Sequence, residues 1–144
     1  TLQGEIAALL YKATKQGKRL AMRLNGTSDL DWSTIYKTFP TVQFYEYTKR
    51  PDLAKQLHKI ENVHITFSKH ENHSESNVKH LLDSGVNVAV VFNKEVPTKY
   101  INITVIDGDK HDRRFEDTQG RIIGLKLKGT NKVKQLAIDT GFAV

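Results

Sequence analysis

The chain has 144 residues, the length of one domain. It is 38% hydrophobic and carries 22 Lys and Arg against 16 Asp and Glu, a formal charge of +6. It has no cysteine, which excludes disulfides, thiolate nucleophiles and thiolate metal ligands within the chain, and no apolar run reaches the length of a membrane span. The basic balance suits a polyanionic partner such as DNA or RNA, and equally suits plain solubility.

Residues 2–16 predict a helix, because Leu2, Ile6, Leu9, Leu10 and Ala13 share one face and Gly17 is placed to end it. Leu20, Met22 and Leu24 then alternate with Ala21 and Arg23 in a strand over 19–25, which runs directly into Asn25, Gly26, Thr27, Ser28 and Asp29. A short helix capped by Asp31 or Ser33 and ended by Pro40 leads to a strand over 41–48. Pro51 marks the start of a helix over 52–59, followed by a strand through Val63, Ile65 and Phe67. A helix over 74–84, stopped by Gly85, precedes the nearly continuous apolar run 86–92, which reads as a strand covered on both faces.

The alternation of helices and strands with short links predicts one α/β domain over 1–144. Its sheet is expected to be mostly parallel and flanked by helices, either three-layered or a partial barrel. The last third breaks the rhythm. Ile101, Ile103, Val105 and Ile106 form a strand, Asp107 to Asp117 is a long polar segment, and 121–129 is a last strand that could run antiparallel. A short helix over 131–139 and a docked tail from Gly141 to Val144 complete the reading.

Each strand ends in small polar or charged residues, and ligands of parallel sheets bind beyond the carboxyl ends of the strands. Arg23 inside an apolar strand needs a partner, either Asp29, Asp31 or a bound anion, and Asn25 offers donors. Tyr47 and Lys49 could stack on a base and hold its phosphate. His70, Glu71 and His73 cluster without a standard metal-site spacing. Asp107, Asp109, His111 and Asp112 could hold Mg²⁺ or Mn²⁺ with waters and a phosphate, or form a salt-bridged turn with Arg113 and Arg114. Lys126 and Lys128 lie on one strand face, as a protected edge or a phosphate-contacting ridge.

The blocks RLNGTSDLDW at 23–32, FYEYTKRP at 44–51, HITFSKHEN at 64–72, NVAVVFNKEVP at 87–97 and VIDGDKHDRRFEDTQGRIIGLKLKG at 105–129 resemble a family of phage- and plasmid-borne proteins of unassigned function. The resemblance implies a mobile-element protein of the bacterial cytoplasm, whose longer members carry a cysteine-rich segment upstream. The start at Thr1 agrees with a piece of such a longer protein. A radical S-adenosylmethionine layout would need those cysteines.

The leading expectation is a nucleic-acid-binding or -processing protein. In its concrete form, Arg23, Asn25, Tyr47, Lys49, Arg113, Arg114, Lys126 and Lys128 contact phosphate. Asp29, Asp107, Asp109 and Asp112 carry a divalent ion, held chiefly by Asp107 and Asp109, and His70 or His111 moves a proton. The alternatives are a non-catalytic DNA-binding accessory domain and a binder or enzyme for a small anionic metabolite at the same strand ends.

Overall fold

Thr1 opens the first helix by accepting the Gly4 N–H at 3.1 Å, and α1 runs Leu2–Lys15 in the computed structural model, which describes residues 1–144. Ile6 is buried, with Leu2 and Leu10 packed beside it. Gly17 follows at φ +64°, the left-handed conformation that closes a helix without a Cβ clash.

Seven strands form one open sheet in the order β1-β2-β3-β4-β7-β6-β5. They are β1 (Ala21–Met22), β2 (Gln43–Thr48), β3 (Val63–Ser68), β4 (Asn87–Phe92), β5 (Lys99–Tyr100), β6 (Ile103–Asp107) and β7 (Ile122–Lys126). The remaining helices are α2 (Ser33–Thr38), α3 (Pro51–Leu57), α4 (Glu75–Asp83) and α5 (Asn131–Asp139). Pro51 stands at the start of α3, and Ser74 and Asn77 form a capping box on α4. No helix is long and apolar enough to cross a membrane.

The sheet is an open one rather than a partial barrel, since β1 and β5 end it as free edges. The last strand, β7, runs parallel to both its neighbours, and the antiparallel pair is β5 with β6. The two are joined by Ile101 and Asn102, both at positive φ (46° and 64°). Positive φ at both central residues is the requirement of a tight two-residue hairpin, which glycine or asparagine usually fills. An isoleucine there hides the hairpin from the sequence.

Strands β1 to β4 are successive parallel neighbours, so right-handed connections put α2, α3 and α4 on one face. The core lies between that face and the helices, with Tyr36, Phe44, Leu53, Leu57, Phe67, Val78, Leu81 and Val90 in contact. The connection from β6 to β7 steps back toward β4, so the same handedness carries it over the opposite face. There a single 3₁₀ turn, Arg114–Glu116, packs on β2 and β3, and Phe115 lies 5.4 Å from the Tyr45 ring.

Arg114 is the largest buried side chain of that second layer. Its Nε is 3.3 Å from an Asp117 carboxylate that is itself 3% exposed, and Nη2 donates to the His111 carbonyl. Gly108 makes room for it, since a Cβ there would stand 2.8 Å from Arg114 Nη1 and 2.6 Å from Ile123 Cγ2. His64 faces the same layer, where burial, with His58 and Arg114 nearby, lowers its pKa to about 4.

Removing one member of a buried ion pair leaves the other charge unpaired. Arg114→Ala is therefore expected to cost about 3–5 kcal/mol in urea unfolding, with most of it recovered when Asp117 is also made apolar. His64 has a second signature. The unfolded chain takes its proton near pH 6.5 and the folded one only near 4, so its contribution is present above pH 6.5 and is lost as pH falls toward 4. Unfolding measured across that window should show a loss on the order of 3 kcal/mol that His64→Leu abolishes.

Candidate functional site

The strand expected over 19–25 pairs with β2 only at Ala21 and Met22. Beyond Met22 the backbone leaves the ladder because a side chain replaces it. The buried Glu46 carboxylate accepts the Leu24 N–H at 2.8 Å and the Asn25 N–H at 3.1 Å. It also accepts the Tyr36 hydroxyl at 3.1 Å. Burial raises the Glu46 pKa, and these three donors pull against the rise.

Asn25 then shapes the loop. Its side-chain oxygen accepts from Ser28 Oγ at 2.9 Å, Leu30 N at 3.1 Å and Trp32 Nε1 at 3.0 Å, and its amide donates to the Leu30 carbonyl at 2.9 Å. Asn25 was expected to contact phosphate, but its side chain is buried and spent on the loop. Asp29 ties the loop to β2, accepting the Thr48 hydroxyl and the Lys49 N–H, both at 2.9 Å.

The result is a cleft of about 410 Å³ beyond the C-terminal ends of β1, β2 and β3. Its walls include Arg23, Thr27, Ser28, Asp29, Tyr47, Lys49 and Ser68, with Leu125 of β7 opposite. The Arg23 guanidinium lies over the Tyr47 ring, 4.9 Å from its centroid. Two of its N–H groups hold the loop, Nε to the Asn25 carbonyl at 2.8 Å and Nη2 to the Gly26 carbonyl at 3.3 Å. No carboxylate pairs with Arg23 or Lys49. Burial pushes the Tyr47 phenol above its ordinary range, so it stays a protonated donor at neutral pH.

The other expected site residues lie outside the walls of the cleft, Arg114 and Asp112 near enough to act on the Tyr47 phenol. Asp107 accepts the Asp109 N–H at 3.0 Å in a turn after β6. Asp109 accepts the Lys126 N–H at 2.9 Å, which with Lys128 holds its carboxyl below the usual range. His111 Nδ1 accepts the Arg113 N–H at 3.1 Å in the same crossover, where Asp112 is exposed. Four of the expected phosphate contacts are paired inside the chain: Arg113 with Glu116, Arg114 with Asp117, Lys126 with Glu95 and Lys128 with Asp109. His70 stands at 3.8 Å ring to ring from His73, beyond the cleft. Nowhere do three His, Asp or Glu side chains gather as a metal site would require.

The cleft therefore joins Arg23, Asp29, Tyr47 and Lys49 from the sequence reading and leaves Asp107, Asp109, Asp112, Arg113, Arg114, His70 and His111 outside its walls. Sequence reasoning missed Glu46 as the residue that shapes it. The signal was present, since Glu46 occupies an inward position between Phe44 and Thr48 in an alternating strand. Leu125 carried no such signal, because only the topology places β7 near β3.

These features define an α/β protein with an open polar cleft at the carboxyl edge of a mostly parallel sheet. The whole chain, residues 1–144, matches the family model described as Gene product 88, and the protein belongs to that family. This fits the phage-type family that the sequence blocks resemble. No curated protein and no solved structure matches the chain.

A carbon-detected titration tests the clamp. The Glu46 carboxyl should titrate above the ordinary glutamate range, and Tyr36→Phe, which removes one donor, should raise it further. Because the folded-state pKa is the higher one, this group's contribution weakens as pH rises through it.

Proposed function

We propose that the protein binds a phosphorylated ligand of nucleotide size in the cleft at the ends of β1, β2 and β3. The observation that carries this is Arg23, stacked on Tyr47 and ion-paired with no carboxylate, facing a cleft also lined by Lys49 and by the hydroxyls of Thr27, Ser28, Thr48 and Ser68. A guanidinium with open N–H groups recognises phosphate oxygens, and its planar face with Tyr47 offers a platform for a base. The volume of about 410 Å³ lies within the range of small-molecule sites.

The geometry favours binding over metal-dependent phosphodiester cleavage. Asp29 spends one oxygen on Thr48 and Lys49, and Asp109 spends both on Lys126 and Lys128. No group of three His, Asp or Glu side chains gathers at either to hold Mg²⁺ or Mn²⁺. The reading also places the protein in the cytoplasm of a bacterial host, where a phage-borne family member would meet nucleotides and nucleic acid.

Binding of inorganic phosphate and nucleoside monophosphates, followed by calorimetry at low salt, tests the proposal. Arg23→Ala and Lys49→Ala should each weaken binding about 10-fold or more, the scale of one charge-assisted hydrogen bond, and Lys49→Ala, whose ammonium holds no structural contact, should do so with the unfolding midpoint unchanged. Absence of binding to every phosphate compound at low salt would overturn it.

A further inference from the structure

A second cleft of about 250 Å³ lies between α3 and α4, lined by Lys55, Asn72, His73, Asn77 and His80. No acidic side chain lines it. Lys55 forms no ion pair. Asn77 uses its oxygen in the cap of α4, accepting from Ser74 N at 3.2 Å and Ser74 Oγ at 3.0 Å, so its NH₂ group is left to donate. His73 Nδ1 is shielded from solvent and has no hydrogen-bond partner within the chain. Its ring is fixed by Phe67 at 4.7 Å and His70 at 3.8 Å. With Pro51 and Leu81 completing the wall, the cleft holds one lysine, several groups able to donate and no carboxylate, a lining complementary to an anion.

The two clefts are neighbours along two segments. Thr48 and Lys49 line the first and Pro51 the second; Ser68 lines the first and Asn72 and His73 the second. Lys69 lies between these lining residues in sequence and lines neither cleft. Its side chain is 6% exposed and pairs with no carboxylate, and it lies close enough to His73 to help lower that imidazole's pKa, after burial and His70.

We infer that the second cleft is a second phosphate subsite, so that the ligand is a single strand of nucleic acid crossing the 48–51 ridge rather than a lone nucleotide. This rests on the phosphate reading of the first cleft. A single strand presents phosphates at regular spacing on a flexible backbone and can bend to follow two clefts. Arg23 and Lys49 hold one phosphate beside Tyr47, and Lys55, Asn77 and His80 hold the next that the strand can present.

The test measures affinity of the full chain for a nucleoside monophosphate and for di-, tetra- and hexanucleotides, with DNA and RNA as separate arms. Affinity should rise about 10-fold or more from mononucleotide to hexanucleotide, the scale of one added charged contact. The double variant Lys55→Ala with His80→Ala changes two helix-surface positions to the best helix former, so the fold is retained. It should abolish that rise, flatten the salt dependence and leave mononucleotide affinity unchanged. A hexanucleotide bound no better than a mononucleotide, or a rise that survives in the double variant, overturns the inference. Failure of the first cleft alone reads differently: the mononucleotide does not bind and Arg23→Ala has no effect, while hexanucleotide binding still depends on Lys55 and His80.

Discussion

The cleft depends on one substitution of a side chain for a backbone. Glu46 takes the Leu24 N–H, which would otherwise face β2, and takes the Asn25 N–H and the Tyr36 hydroxyl as well. A buried carboxylate is costly unless its oxygens are satisfied, and here three donors from two elements satisfy it. The same contacts release β1 from the sheet after Met22 and turn the following residues into the loop that Asn25 organises. Strand pairing continued to Asn25 would close the space now bordered by Arg23, Thr27 and Ser28.

The opposite layer is built on a different economy. The reversal of strand order at β7 sends a crossover over the second face, and that crossover holds a single 3₁₀ turn in place of an α-helix. It covers the face instead with a buried ion pair, Arg114 and Asp117, and one aromatic contact, Phe115 on Tyr45. Under it, Asn87 of β4 accepts the Arg121 N–H at 2.9 Å and approaches His64 of β3. This layer is therefore sensitive to charge and pH in a way that the apolar helix side is not.

Net charge alone says little about where an anion would bind. The chain carries +6, yet Arg113, Arg114, Lys126 and Lys128 are neutralised by neighbouring acids. Of the cations without an acid partner, Arg23 and Lys49 line the first cleft and Lys55 the second. The distribution of unpaired charge, rather than its sum, gives the surface its direction.

Periodicity and turn residues determined most of the fold by themselves. Leu2 to Ala13, the Pro51 start, the Ser74 cap and the run 86–92 are local signals, so the elements and the parallel, right-handed α/β arrangement were legible. The strand-end polarity likewise pointed to Arg23, Tyr47 and Lys49. The tertiary structure alone decided that Ile101 and Asn102 make a hairpin, that β7 inserts between β4 and β6, and that Asp107 and Asp109 stand apart from Asp29. Those outcomes turn on strand order and on which charges meet across the sheet. A linear pattern of residue types carries the period of each element but not the partner that each polar group finds in space.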